Sequence, residues 1–248
     1  VSNVLPLLRP TWPAGVHGVF TTRAGGVSMP PYAELNLALH VGDDPRAVAD
    51  NRARAAAAIG LPAAQLAFAE QVHGNDVELL DAPPDTPPAV DAMVTSTPGL
   101  ALVVMVADCV PVLLADAAAG VVGVAHAGRR GVELGVVTTA VRAMVTRGAD
   151  VERIAVWLGP SIGGCCYEVP ADMQAAVDAA APGAACRTSR GTPGLDLRAG
   201  LEAQLAAVGV SRVGRVGGCT AETADLFSYR RDATTGRFAG LIWRDVAG

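Results

Sequence analysis

Polar and nucleophilic residues inside apolar runs call for an explanation, because burying them without partners costs roughly 1–3 kcal/mol each. In LALVVMVADCVPVLLADAAAGVVGVAHAGRRG, residues 100–131, two points stand out. Asp108 and Cys109 sit at a break between strand-like runs, and His126 ends the next strand but one. A strand–turn–strand return can bring Cys109 and His126 to one sheet edge, where a thiolate and an imidazole serve as nucleophile and base. A buried small hydrophobe at 109 and a hydrogen-bonded strand-end histidine at 126 fit the same pattern equally well. His73, in EQVHGND, precedes a glycine turn, where a histidine is more often structural or solvated than a ligand. The adjacent Cys165 and Cys166 read as wall rather than centre, since vicinal cysteines do not readily present two facing ligands without a strained loop.

Anion binding is the second chemistry the pattern suggests. TTRAGG (21–26), HAGRRG (126–131) and GPSIGG (159–164) are glycine-rich strand-end loops with free backbone N–H groups, and the first two also carry arginines. The second is the best candidate, because GRRG opens an expected helix and puts Arg129 and Arg130 near its positive end. Glycines that only permit close packing, with solvated arginines, are the alternative.

The elements that must position these groups follow from apolar periodicity and turn residues. Strands are expected at 16–22, through LAFAEQVHG and DVELL, at 100–107, 110–115 and 121–126, from Asp150 to Leu158, near 213–218 and near 237–244. A helix has Asp44 as N-cap, Pro45 at its first position and Gly60 just past its end. Further helices are expected from GRRG to Gly148, after Pro170 and near 195–208, while 81–90 and 187–194 read as loops. The expectation is a single α+β domain over 1–248, with buried mixed β-sheets flanked by helices in a layered sandwich.

Composition narrows the function. The chain is 51% hydrophobic, which excludes intrinsic disorder, and only 4% aromatic, which argues against a base-stacking RNA platform. All 19 basic residues are arginine, so Schiff-base and P-loop lysine chemistry are excluded. A net charge of -5 gives no general attraction to nucleic acid or anionic membrane. Asp108, Pro111 and Asp116 divide the most apolar region into runs too short to span a bilayer, and no secretory signal pattern is visible, so a cytoplasmic protein acting on a small molecule is expected. Five cysteines without CxxC spacing read as reduced thiols. With no HExxH or HxH, any metal site must be assembled from distant segments.

TTRAGGVS (21–28), LNLALHVGDDP (35–45), NR (51–52), EQVHG (70–74), ADCVPVLL (107–114), VAHAGRRG (124–131) and WLGPSIGGCCYEV (157–169) occur in that order, with SYRRDATTGR at 228–237. In order and spacing the chain resembles the YfiH family, also called the laccase-domain or polyphenol-oxidoreductase family, to which purine nucleoside phosphorylase activity has been assigned. The resemblance implies a zinc site built from His73, Cys109 and His126, whose open fourth position takes water or substrate. It implies phosphorolysis of adenosine, inosine and methylthioadenosine, with adenosine deamination as a side activity, and contacts to phosphate from Arg23 and Arg130. The partners implied are purine nucleosides and phosphate, and a monomer is expected. The chain departs from the family at Arg129, where the pattern HAGWRG has tryptophan. Two rivals share the same residues: a copper-binding polyphenol oxidase, copper being possible at this site, and a metal-free hydrolase using Cys109 and His126. Four histidines are too few for a multicopper centre with a trinuclear cluster.

Overall fold

Apolar residues fill consecutive strand positions in this chain because both faces of its central strands are covered. The structure, a computed structural model, describes residues 5–245, so the ends of the expected 1–248 span lie outside the described residues. One sheet has five strands in the order β1 (Leu7–Leu8), β2 (Val16–Thr21), β13 (Phe238–Arg244), β6 (Ala101–Val106) and β3 (Leu66–Ala67). The other has six: β12 (Arg212–Arg215), β9 (Ala155–Leu158), β7 (Val110–Asp116), β8 (Val121–Ala127), β5 (Ala92–Thr95) and β4 (Val77–Leu80). Both are mixed, with β3 parallel to β6, β4 to β5 and β12 to β9.

Alternate side chains enter different layers. Leu102, Val104, Leu113, Val122, Phe20 and Phe238 fill the space between the sheets. Val112, Leu114 and Ala125 point the other way, under α3 (Val136–Thr146), α4 (Ala171–Ala180) and α5 (Leu197–Ala207). Val103 and Leu241 face α1 (Pro45–Ala58), so the layers run helix, sheet, sheet, helix. The layered α+β expectation holds. No helix among the described residues is long and apolar enough to cross a membrane.

Helix α1 starts as its sequence indicates, with the Asp44 side chain accepting from the Arg46 N–H at 2.9 Å and Pro45 in the first turn. Other boundaries moved. The helix expected from GRRG to Gly148 is two, α2 (Arg129–Glu133) and α3, parted at Gly135, which adopts φ +73°. The strand expected through LAFAEQVHG stops at Ala67. Strand β5 follows directly on the proline-rich loop, and the supposed loop 187–194 closes a hairpin of β10 (Ala185–Arg187) and β11 (Pro193–Leu195).

Asp116 shows how the β7–β8 turn is held. Its buried carboxylate accepts from the backbone N–H groups of Ala118, Ala119 and Asp150 and from the Arg153 guanidinium. Burial alone would raise its pKa, but the Arg153 hydrogen bonds, the backbone donors and the Arg153 charge hold it below the usual value. A depressed carboxylate contributes stability that is complete above its unfolded pKa, about 4, and is lost as pH falls through the folded value. Asp116→Ala strands several donors and is expected to cost about 3 kcal/mol in denaturant unfolding at pH 7. The difference from wild type should shrink below about pH 4; a constant difference would show that the carboxylate's charge is not what matters.

Candidate metal centre and its cavity

Cys109 and His126 meet because β7 and β8 are an antiparallel hairpin. Pro111 pairs with His126 and Val110 with Ala127, so the residue just before β7 lies beside the end of β8. Asp108 and Cys109 also mark where the chain leaves β6 in one sheet for β7 in the other, and Asp108 takes φ +91° to make that crossing. Its carboxylate accepts from Thr220 Oγ1 at 2.5 Å and from the Arg230 N–H at 2.6 Å, drawing two distant segments to the site.

His73 is brought in by Asp91. The Asp91 carboxylate accepts from the consecutive N–H groups of Val72, His73 and Gly74 at 3.2, 2.9 and 2.6 Å, a nest that holds His73 at φ +60°. The same carboxylate lies 2.8 Å from His126 Nδ1, and the Asp91 carbonyl accepts from the His126 N–H at 2.7 Å. Gln71 exchanges two hydrogen bonds with the Met105 backbone and ties the loop to β6. One buried acid therefore fixes the positions of two imidazoles, with His126 presenting Nε2 to the site.

The donor atoms of His73, Cys109 and His126 all lie within 4.8 Å of one another. A Cβ on Gly128 would come within 3.0 Å of both Cys109 Sγ and the His73 ring, so glycine at 128 makes room for the cluster. Burial pushes the Cys109 thiol up, but the His126 charge and hydrogen bonds with His126 and His73 outweigh it and bring the pKa to about 6. Burial likewise opposes ionisation of His126, yet the Cys109 thiolate and Asp91 raise it to about 9. The pair is a thiolate beside an imidazolium, two groups that could hold a cation once the imidazolium gives up its proton. A soft thiolate, two imidazoles and a carboxylate behind one of them fit zinc well, and the same donors also suit copper.

The cluster forms the floor of a cavity of about 470 Å3, whose wall includes His40, Arg129, Tyr167, Tyr229, Arg230 and Arg237. Arg23 and Arg130 do not line it. Arg23 donates to the Ala33 carbonyl and stacks on Phe227, and Arg130 is exposed. The cations facing the cavity are Arg129 from GRRG and, from the C-terminal motif, Arg230 and Arg237. Asp91, at the end of the proline-rich loop, was not singled out from sequence; its only signal was an acid directly before an apolar run. Cys165 and Cys166 stay outside the cavity while their neighbour Tyr167 lines it.

The family model described as multi-copper polyphenol oxidoreductase laccase matches residues 17–245. A purine nucleoside phosphorylase of Mycobacterium tuberculosis is 53% identical over 231 residues, covering 93% of this chain and 92% of the relative. One from Streptomyces griseus is 55% identical over 232 residues, covering 92% and 94%. The crystal structure of YlmD from Geobacillus stearothermophilus superposes with a TM-score of 0.90 at 35% identity, covering 98% of this chain and all of that one. The chain belongs to the polyphenol oxidoreductase laccase family, which includes the YfiH proteins.

Proposed function

We propose that this chain is a zinc-dependent purine nucleoside phosphorylase acting on adenosine, inosine and methylthioadenosine, with adenosine deamination as a side activity. The observation that carries the reading is the convergence of His73, Cys109 and His126 on the floor of a cavity whose wall holds Arg129, Arg230 and Arg237. Relatives more than 50% identical are named purine nucleoside phosphorylases.

Zinc bound by His73, Cys109 and His126 would supply a Lewis acid for a phosphate oxygen, or a water acidified for deamination. Arg129, which GRRG already suggested, holds the anion together with Arg230 and Arg237 in place of Arg23 and Arg130. Arg237 commits Nη1 to the Thr235 and Gly236 carbonyls and has no other side-chain partner among the described residues, so part of its guanidinium is open to an anion. Phosphorolysis joins a phosphate oxygen to the ribose C1′ as the glycosidic C–N bond breaks and its electron pair leaves with the purine. Fixed cations hold the nucleophile in place for that displacement. Tyr167 and Tyr229 give the base and sugar an aromatic surface, with Arg230 stacked on Tyr167 at 5.0 Å. Asp91 keeps His126 in the tautomer that leaves Nε2 free as a ligand.

Zinc-loaded protein incubated with adenosine, with and without phosphate, separates the activities by product mass. Phosphate-dependent adenine and ribose 1-phosphate support the phosphorylase, and inosine formed without phosphate supports the deaminase. No product in either arm rejects both. Arg129→Trp removes a cation from the cavity wall and should raise the KM for phosphate about tenfold, the equivalent of a charge-assisted hydrogen bond. It should also alter the kcat/KM ratio of adenosine to inosine; if neither changes, Arg129 does not contact the substrates.

A copper oxidase drawing on a trinuclear cluster lacks ligands. His17 is held by Asp245 and stacked on Trp243, leaving His40 as the one imidazole near the His73 and His126 pair.

A further inference from the structure

The loop that supplies Tyr167 to the cavity carries a second cluster of soft ligands on its other side. Cys165, Cys166, Cys219 and Glu222 place three sulfurs and a carboxylate oxygen within 4.8 Å of one another. The two segments involved are already joined: Ser161 and Cys219 form a parallel bridge, and the Thr220 N–H donates to the Ser161 carbonyl at 3.0 Å. Adjacent cysteines ordinarily diverge. Here the chain curls, with the N–H groups of both Cys166 and Tyr167 donating to the Gly163 carbonyl at 3.0 Å, and the Cys165 and Cys166 sulfurs end 3.5 Å apart.

The remaining geometry also suits a cation. Cys165 Sγ is 3.4 Å from Glu222 Oε2. On a tetrahedral zinc with Zn–S bonds of about 2.3 Å two sulfurs are separated by roughly 3.8 Å, and a sulfur and an oxygen bound at about 2.1 Å by roughly 3.6 Å, close to these spacings. The Gly163 N–H points at Cys219 Sγ at 3.2 Å, the kind of donor that stabilises a bound thiolate. A Cβ at Gly163 would come within 3.2 Å of Cys165 Sγ and 3.4 Å of Cys219 Cβ, so this glycine leaves room for the sulfurs to converge. Arg198 donates to the Gly217 carbonyl and has a buried Nε without a protein acceptor, placing positive charge beside a centre that becomes anionic when its thiols ionise.

We propose that Cys165, Cys166, Cys219 and Glu222 form a second, structural site for a soft divalent cation of the zinc type. The closed set of four protein ligands leaves no position for substrate, unlike the site at Cys109. A cation there staples the 161–167 loop to the 219–222 loop. The stapled segments hold Ile162 and Tyr167 in the cavity wall, and Arg230 is anchored to the same loop through the Cys166 and Glu168 carbonyls. Without the ion, burial and the neighbouring sulfurs raise the Cys165 thiol well above its ordinary pKa, and burial raises that of Cys166. Binding then releases protons, as at other thiolate sites. The proposal does not depend on the reaction at the first site.

Full-length protein is reconstituted with zinc under a reducing agent, freed of excess metal and analysed for zinc per chain. Two equivalents are expected in wild type, and one in each of Cys219→Ser and Cys109→Ala. A single equivalent in wild type that disappears in Cys109→Ala, or two retained in Cys219→Ser, would overturn the proposal. Should Cys219→Ser fail to fold, wild-type protein still decides. Alkylation followed by peptide mass analysis should show Cys165, Cys166 and Cys219 protected by zinc and exposed by chelation. Equal labelling with and without zinc rejects the site. Cobalt titration of Cys109→Ala adds a third reading: intense thiolate-to-cobalt absorption is expected, and its absence would count against the site.

Discussion

Cys109→Ala is expected to lower turnover by at least a hundred- to a thousandfold and to remove one equivalent of zinc while leaving the fold intact. The magnitude follows from losing a group that organises charge at the reacting centre. The fold should survive because Cys109 is only partly buried and precedes β7, whose pairing with β8 and β9 involves the backbone alone. Alanine also removes the thiolate, the charge that contributes most to raising the His126 pKa, so that pKa falls, while Asp91 continues to raise it. Activity loss alone would not separate the metal enzyme from a hydrolase that uses Cys109 as nucleophile and His126 as base, since both need the thiol. Metal removal from wild type separates them. Chelation followed by zinc return should abolish and restore turnover, whereas a hydrolase keeps its activity without metal and gives a covalent acyl adduct detectable by mass. Full activity of the metal-free protein would reject the zinc reading.

What the sequence made legible was decided by how locally each feature is encoded. Strands at 101–106, 110–116 and 121–127 were readable because burial on both faces writes a continuous apolar run, and Cys109 and His126 interrupt that run at its turns. Once the hairpin is recognised, their meeting follows from its register. Asp91 was not readable in the same way. Its role lies in side-chain contacts to residues 17 to 35 positions away, and its place directly before an apolar run is all that marks it among the aspartates of DAPPDTPPAVDAM. The arginines divide on similar grounds. Arg23 and Arg130 sit in glycine-rich motifs that look like anion loops, but the TTRAGG segment is spent on scaffolding. Asn51 donates to Ser28 Oγ and to the Glu34 and Asn36 carbonyls, so the N-terminal motifs knit one another together under α1. Arg230 and Arg237 reach the cavity from the far end of the chain because β13 lies between β2 and β6, a pairing that local pattern does not reveal.

Asp91→Asn should be the most informative substitution outside the ligands, because it keeps shape and changes one donor pattern. The carboxylate accepts on both oxygens: Oδ1 from the His73 N–H and facing His126 Nδ1, Oδ2 from the Val72 and Gly74 N–H groups. An amide has one acceptor oxygen, so its NH2 must face one of these donor sets. If the oxygen stays with Val72 and Gly74, the amide donates to His126 Nδ1, and the ring takes the tautomer with its proton on Nε2, the atom that should bind metal. Zinc affinity at the first site is then expected to fall 10- to 100-fold, the usual cost of disturbing a partner behind a ligand. The pH dependence supplies a readout that simple loss of stability would not imitate. Zinc held by His73, Cys109 and His126 would have to take the place of the His126 proton while Cys109 is already ionised, so the apparent Kd should rise about tenfold per unit of acidification between about pH 9 and about pH 6. Asp91 helps hold that proton, and without its charge the His126 pKa drops, flattening the slope in the upper part of the window. Competition titrations at pH 7 and pH 8, beside thermal unfolding of the same samples, measure both effects. Unchanged affinity and slope with a lowered Tm would reduce Asp91 to a loop-holding residue and leave the orientation of His126 to the backbone of β8.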